Sequence, residues 1–214
     1  MNEQVHYYKL RAKEYEAIYQ KPERQSDLIE IKEYLSQQFR GQDLLEIACG
    51  TGYWTQILAA SAKKILATDI NSTVLDIAMA KNYAPATVRF HVQDLFSLVE
   101  PKQLHEGLFG GFIFSHISRA QWQHFFTLCL SQIQKGSTMI FLDNRYVEGS
   151  STPICRTDED GNTYQIRRLR SGDVFEIMKN FPTEKDVKRC LAQKVDHWEW
   201  KTWKHYWLLQ CRKR

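Results

Sequence analysis

Leu44-Leu45-Glu46-Ile47-Ala48-Cys49-Gly50-Thr51-Gly52-Tyr53-Trp54-Thr55 runs from an apolar segment through one acidic residue into a small, glycine-punctuated turn. A helix-like segment, 53–62, follows at once. Strand, tight turn and helix N-terminus in that order form the usual place for a nucleotide-like ligand in an open α/β sheet. Gly50 and Gly52 can adopt backbone angles closed to other residues, and they leave no Cβ between backbone and ligand.

The turn also excludes ligands. A dinucleotide fingerprint carries a third glycine, and that position is Thr55. A phosphate-cradling loop needs a lysine directly after its last glycine, and Tyr53 follows Gly52. A nucleoside without a pyrophosphate fits better. Glu46, just before the turn, can accept from an ammonium or a hydroxyl. Lys64–Ile70 reads as a buried strand carrying Asp69, 17 residues after Gly52 and near the distance at which an acid accepts ribose hydroxyls. A third strand, 87–93, leads into Asp94, placed to accept from an adenine amino group. Three strand ends, each with an acid, describe an adenosyl pocket.

Glu46-x-x-x-Gly50-x-Gly52, Asp69 and Asp94 resemble the first three motifs of class I S-adenosylmethionine-dependent methyltransferases. The resemblance implies S-adenosyl-L-methionine as cofactor and S-adenosyl-L-homocysteine as product. It implies a cofactor site built from Glu46, Ala48, Gly50, Gly52, Trp54, Asp69, Ile70, Asn71, Asp94, Leu95 and Phe96, with Ser115 next to the transferred methyl. It also implies an α/β, Rossmann-like, doubly wound and mostly parallel seven-stranded sheet. For Trp54, packing at the helix start is the favoured reading over stacking on the ligand.

The remaining pattern supports such a sheet. Two amphipathic helices, 3–19 and 23–39, are separated by Pro22. Strand and helix patterns then alternate: 43–48, 53–62, 64–70, 72–81 and 88–93, a fourth strand at 111–115, a helix at 121–134 and a fifth strand at 138–143. Beyond it, 163–169 and 174–179 read as two strands joined by an Arg170-Ser171-Gly172-Asp173 turn. A helix at 182–193 with Thr183 as N-cap and two antiparallel edge strands, 195–200 and 205–211, complete the chain. The aromatic tail, Trp198, Trp200, Trp203, Tyr206 and Trp207, reads mostly as core. One domain is expected, with N-terminal lid helices over 1–40, a cofactor-binding core over 41–143, a substrate-side hairpin insertion over 144–181, and the last helix and edge strands over 182–214.

A narrower resemblance rests on Tyr7-Tyr8-x-x-Arg11-Ala12-x-Glu14-Tyr15, the glycine turn, Gln93-Asp94-Leu95-Phe96, and Arg167-Arg168-Leu169 with Gly172, Phe175, Ile177 and Lys179. These are similar to a small bacterial methyltransferase group that includes a phosphonate O-methyltransferase of dehydrophos biosynthesis. The resemblance implies that a hairpin arginine, Arg167 or Arg168, and Lys179 hold a small anion. An Arg fork matches two oxygens of a phosphonate or carboxylate, and Lys adds a compact charge. Residue types alone favour solvated hairpin charges, and the resemblance brings the anion-binding reading level with that one. Tyr8 and Arg11 sit on a helix able to cover the pocket, with Arg11 able to reach the carboxylate of the methionine moiety. His116, beyond the fourth strand, can orient a substrate or take a proton from a neutral nucleophile.

Composition narrows the partners. The 214 residues carry 29 Lys and Arg against 25 Asp and Glu, for a net charge of +4. Basic residues so interleaved with acids, without a nucleic-acid motif, argue for a small-molecule acceptor over a nucleic acid. The start of the chain lacks a signal-peptide core and no apolar run is long enough for a membrane span, so a cytoplasmic protein is expected, monomeric or homodimeric. The five cysteines show no ligand spacing, and no metal is expected. The expected reaction is methyl transfer to the oxygen of a small phosphonate- or carboxylate-like compound. Another small-molecule O or N nucleophile, or a nucleic-acid-associated methyl transfer, is the alternative.

Overall fold

The computed structural model describes residues 3–99, 101 and 103–214. Its chain order is α1 (Glu3–Arg11), α2 (Gln25–Gln38), β1 (Asp43–Ile47), α3 (Tyr53–Leu58), β2 (Lys64–Asp69), α4 (Ser72–Met79), β3 (Thr87–Val92), β4 (His105–Gly111), α5 (Trp122–Ser131) and β5 (Ile133–Asn144). Then follow β6 (Arg156–Thr157), β7 (Thr163–Arg168), β8 (Val174–Met178), α6 (Glu184–Leu191), β9 (Val195–Thr202) and β10 (Tyr206–Lys213). Seven strands form one sheet in the order β3-β2-β1-β4-β5-β10-β9, with β10 antiparallel to both its neighbours and the other pairs parallel. The order reverses between β1 and β4, which puts the ligand crevice of such a sheet at their carboxyl ends. The expected doubly wound, Rossmann-like architecture is the one observed. A separate antiparallel sheet, β6-β7-β8, follows β5.

The central strands are buried on both faces, so their side chains alternate between two cores. Leu44, Phe109, Ile140 and Leu142 face a core made with α2 and α3, including Leu28, Leu35, Phe39 and Trp54. Leu45, Leu108, Met139 and Phe141 face the other, made with α5 and α6, including Phe125, Phe126, Val187 and Leu191. Trp207 is buried there and stacks on Trp200 at 4.6 Å, so these rings of the aromatic tail are packing residues. Thr183 caps α6 through a reciprocal box with Asp186, as the sequence predicts.

Three elements differ from the sequence reading. The fourth strand lies at His105–Gly111, and Phe114–His116 is instead a short 3-10 turn. Three glycines hide this strand, and packing demands two of them: a Cβ on Gly107 would meet the Phe39 ring at 2.7 Å, and one on Gly110 the Phe141 ring at 2.6 Å. Phe112, at φ +61, then turns the chain out of the sheet and re-aims residues 113–116. The first helix passes into a 3-10 helix over Ala12–Gln20, tightening where Tyr19 packs on Tyr53 and Trp54 and Tyr15 packs on Tyr19. The fifth strand begins at Ile133 and crosses a bulge at Gly136, φ +81. Among the described residues no helix is long and apolar enough to cross a membrane.

Candidate active site

At the carboxyl ends of β1 to β4 lies a cleft of about 380 Å³, walled by Ala48, Gly50, Asp69, Asp94 and Phe112 among others. The turn that floors it needs unusual backbone angles: Ala48, Gly50 and Gly52 all have positive φ (50, 55 and 78). Its two glycines serve different ends. Nothing stands within 4 Å of where a Gly50 Cβ would be, so the backbone is open there. A Gly52 Cβ would collide with the Tyr83 hydroxyl and Ala78, so Gly52 lets α4 and its neighbour close up behind the turn.

Asp69 ties the turn to the second strand. Its Oδ2 accepts from the Gly50 amide at 3.0 Å and its Oδ1 from the Asn71 amide at 2.9 Å. Burial raises its pKa above the ordinary carboxylate value, and these amides pull against that. Asn71 caps α4, its side chain accepting from the Thr73 amide at 3.1 Å. Asp94 starts a short 3-10 turn in the same way, accepting from the Phe96 amide at 2.9 Å. Ile70, Leu95 and Phe96 complete this wall. Glycine backbone, two strand-end acids and apolar side chains together suit an adenosyl group.

Helix α1 roofs the cleft. Val5 and Tyr8 line it, and the Asn71 side chain donates to the Val5 carbonyl at 3.5 Å. Three predicted residues lie behind the cleft and not on it. Glu46 is 1% exposed, its Oε2 has no hydrogen-bond partner, and burial, with Asp69 adding, pushes its carboxyl up to about 8. It faces the α2–α3 core because it alternates with Leu44 on β1. Trp54 is buried against Phe112 and donates to the Tyr19 hydroxyl at 3.0 Å. Gly52 is buried with them. Cys49 is also buried, and burial pushes its thiol far up, against any nucleophilic use.

A second cavity, of about 230 Å³, shares Tyr8, Tyr15, Phe112 and His116 with the cleft. Its other walls bring together Arg11, Lys21, Arg24, Arg167 and Lys179, and no carboxylate among the described residues lines it. The register of the small sheet explains the choice between the two hairpin arginines. The Lys179 amide donates to the Thr163 carbonyl at 2.8 Å, and Arg167 stands four residues on from Thr163. Even spacing along a strand keeps Arg167 on one face with the Lys179 side of the pair, while Arg168 takes the opposite, exposed face. Arg168 lines neither cavity.

Lys179 is only 5% exposed. Its Nζ donates to Ser115 Oγ at 2.6 Å and to Asp143 Oδ1 at 3.1 Å. Asp143 is fully buried at the end of β5 and also accepts from the Ser115 amide and hydroxyl, each at 2.9 Å. Burial acts to raise its carboxyl, but the Lys179 ammonium and the backbone amides of Ser115 and Asn144 hold it below its usual range. Ser115 thus belongs to this buried network and lies off the cleft surface. Arg11 donates to the Tyr7 hydroxyl at 2.9 Å and lines the second cavity, not the cleft.

His116 stands at the seam between the cavities. Its Nδ1 lies 2.8 Å from the Met178 carbonyl, which can only accept, so Nδ1 carries the proton. The bare Nε2 then accepts from the Tyr8 hydroxyl at 2.8 Å. Burial, with Lys179 adding, pushes the imidazole down to about 3, so it is neutral throughout the physiological range. Sequence reasoning missed Arg24 and Asp143. Only Asp143 carried a signal, an acid closing a buried strand as Asp69 does.

Residues 44–136 match the family model described as a methyltransferase domain. No curated protein matches the chain. Among solved structures it is similar to a DhpI–SAH complex, with 25% identity over 99% of this chain and 95% of that one and a TM-score of 0.78. It is similar to a DhpI–SAM–HEP complex, with 24% identity over 98% and 96% and a TM-score of 0.80. The N-methyltransferase NodS from Bradyrhizobium japonicum WM9 shares its fold at 12% identity, over 90% and 97%, with a TM-score of 0.62.

Proposed function

We propose that the chain is a class I S-adenosylmethionine-dependent methyltransferase and that its acceptor is a small anionic compound, phosphonate- or carboxylate-like, methylated on oxygen. The observation that carries this is the second cavity: five cationic side chains line it, no carboxylate among the described residues does, and it adjoins the cleft, sharing Tyr8, Tyr15, Phe112 and His116 with it. The solved complex of the similar protein DhpI with SAM and HEP is consistent with a small acceptor beside the cofactor.

The cleft residues fit the cofactor. Asp69 accepts from ribose hydroxyls, Asp94 from the adenine amino group, and the Ala48–Gly50 backbone approaches without a side chain between. Ile70, Leu95 and Phe96 flank the base. Bound there, S-adenosylmethionine supplies a methyl group made electrophilic by its sulfonium. The work left to the protein is positioning, which is worth roughly 7–11 kcal/mol of barrier when the reacting atoms are held near attack distance.

Arg167 holds the acceptor anion. Its guanidinium makes no ion pair among the described residues and is oriented by Thr152 Oγ1 at 2.9 Å and Gln165 Oε1 at 2.5 Å. Lys179 contributes its field from behind Ser115, since its charge is already met by Asp143. An oxygen lone pair of the anion attacks the methyl carbon, the C–O bond forms as the C–S bond breaks, and the electron pair leaves with sulfur. No proton moves. This agrees with His116, because an imidazole held down to about 3 is a poor base at neutral pH. Its service is to hold Tyr8 in place.

The test is an acceptor screen with small phosphonates and carboxylates, followed by Arg167→Ala. Removing a charged hydrogen-bond donor should raise acceptor KM about 10- to 100-fold, with S-adenosylhomocysteine affinity by calorimetry nearly unchanged. Neutral alcohols or amines as the better acceptors, or unaltered kinetics in the variant, would overturn the proposal.

A further inference from the structure

The hairpin accounts for one pole of the acceptor cavity. The opposite wall holds a second guanidinium that nothing so far uses. Arg24 lies at the end of a 3-10 turn entering α2, yet it is only 5% exposed. Nη1 donates to Asn144 Oδ1 at 3.2 Å and Nη2 to Ser150 Oγ at 3.4 Å. Its Nε is shut away from water and meets no acceptor. Like Arg167, it forms no ion pair among the described residues. Glu23, exposed at the rim, feels the charge of Arg24 and accepts from the Ser150 hydroxyl at 3.2 Å, but it does not come within ion-pair distance.

A buried cation needs a counter-charge. Lys179 has one in Asp143, whereas Arg24 and Arg167 have none. The two are set by one loop: Arg24 donates to Ser150 and Arg167 to Thr152, two residues on. Both lie near enough to Lys179 to depress its pKa, after burial and against Asp143. Two uncompensated guanidiniums thus share one cavity of about 230 Å³, room for a small molecule alone. A single acidic group held at Arg167, which is only half-buried, would leave the buried Arg24 unpaired.

We propose that the acceptor carries two acidic ends, the methylated one at Arg167 and a carboxylate at Arg24, whose planar fork suits it. Arg24 is then the residue that sets the substrate class. This inference rests on the anionic-acceptor reading above.

The experiment compares methylation of 3-phosphonopropionate with that of propylphosphonate, which lacks the second acid. The wild-type enzyme should favour the two-headed acceptor by about 10- to 100-fold in kcat/KM. Arg24→Gln should bring that ratio close to one, chiefly through KM, whereas Arg24→Lys, which keeps the charge, should retain part of it. Melting curves identify a variant that fails to fold, and the wild-type ratio needs no variant. A wild-type enzyme that methylates both equally, or an Arg24→Gln variant that folds and keeps the ratio, overturns the inference and leaves the anionic reading standing. If neither phosphonate is methylated while S-adenosylhomocysteine binds, both fall together.

Discussion

The side chains that bear on the chemistry are distinguished less by type than by what already satisfies them. Lys179 sits where the hairpin pattern puts an anion-binding cation, but Asp143 and Ser115 already meet its ammonium. Removing it leaves Asp143 buried without its partner. Lys179→Met should therefore cost about 3–5 kcal/mol in urea denaturation, and adding Asp143→Asn should recover part of that loss. Asp69 offers a contrasting case: each of its oxygens accepts from one backbone amide and keeps acceptor capacity on the wall of the cleft. Asp69→Ala should weaken S-adenosylhomocysteine binding by about 10- to 100-fold in calorimetry, the worth of hydrogen bonds to a charged group. At His116 the consequence is a missing pH effect. An imidazole base near its ordinary pKa would lose activity as pH falls from 8 to 6, whereas one held down to about 3 gives a flat kcat over that range. A bell centred near neutrality would show that His116 titrates in catalysis. From the sequence, Asp69 and Asp94 were legible because a strand-end acid at a fixed distance from a glycine turn has few other uses. Arg24 was not, since nothing local separates a buried arginine from a solvated one.

Among the elements, β4 shows what composition conceals. Its glycines lower strand propensity, yet they exist so that aromatic rings from both cores can lie against the strand. Gly110→Ala should destabilise the fold by about 1–3 kcal/mol, because Phe141 must move and is packed on every side. Thermal or chemical denaturation would measure it, and a neutral result would mean that the ring has room to swing. The hairpin is the opposite case. Its two strands and turn follow from alternation and the glycine, and the same alternation separates Arg167 from Arg168 once the register is known. Register depends on pairing across the hairpin, through the amide of Lys179 and the carbonyl of Thr163, which no single-strand pattern contains. The long 3-10 segment after α1 was hidden for a similar reason, since it answers to Tyr53 and Trp54, far along the chain.

For the molecule as a whole, the buried acid Glu46 links folding to pH. Its carboxyl titrates at about 8 when folded, against an ordinary value of 4.5 in the unfolded chain. Between those values the folded state keeps a proton that the unfolded state has lost. The contribution is complete below pH 4.5 and disappears as pH rises through 8, at most about 1.4 kcal/mol per pH unit. Stability of the wild type relative to Glu46→Gln should decline from pH 5 to 8 in parallel urea titrations, and parallel curves would mean that Glu46 ionises normally. The other molecule-wide property concerns traffic. Tyr8 of α1 touches both chambers, Val5 the larger and Arg11 the smaller, so a single helix is the ceiling of both rooms. A ligand in either chamber would lie under the same helix, so a shift of α1 would uncover both at once.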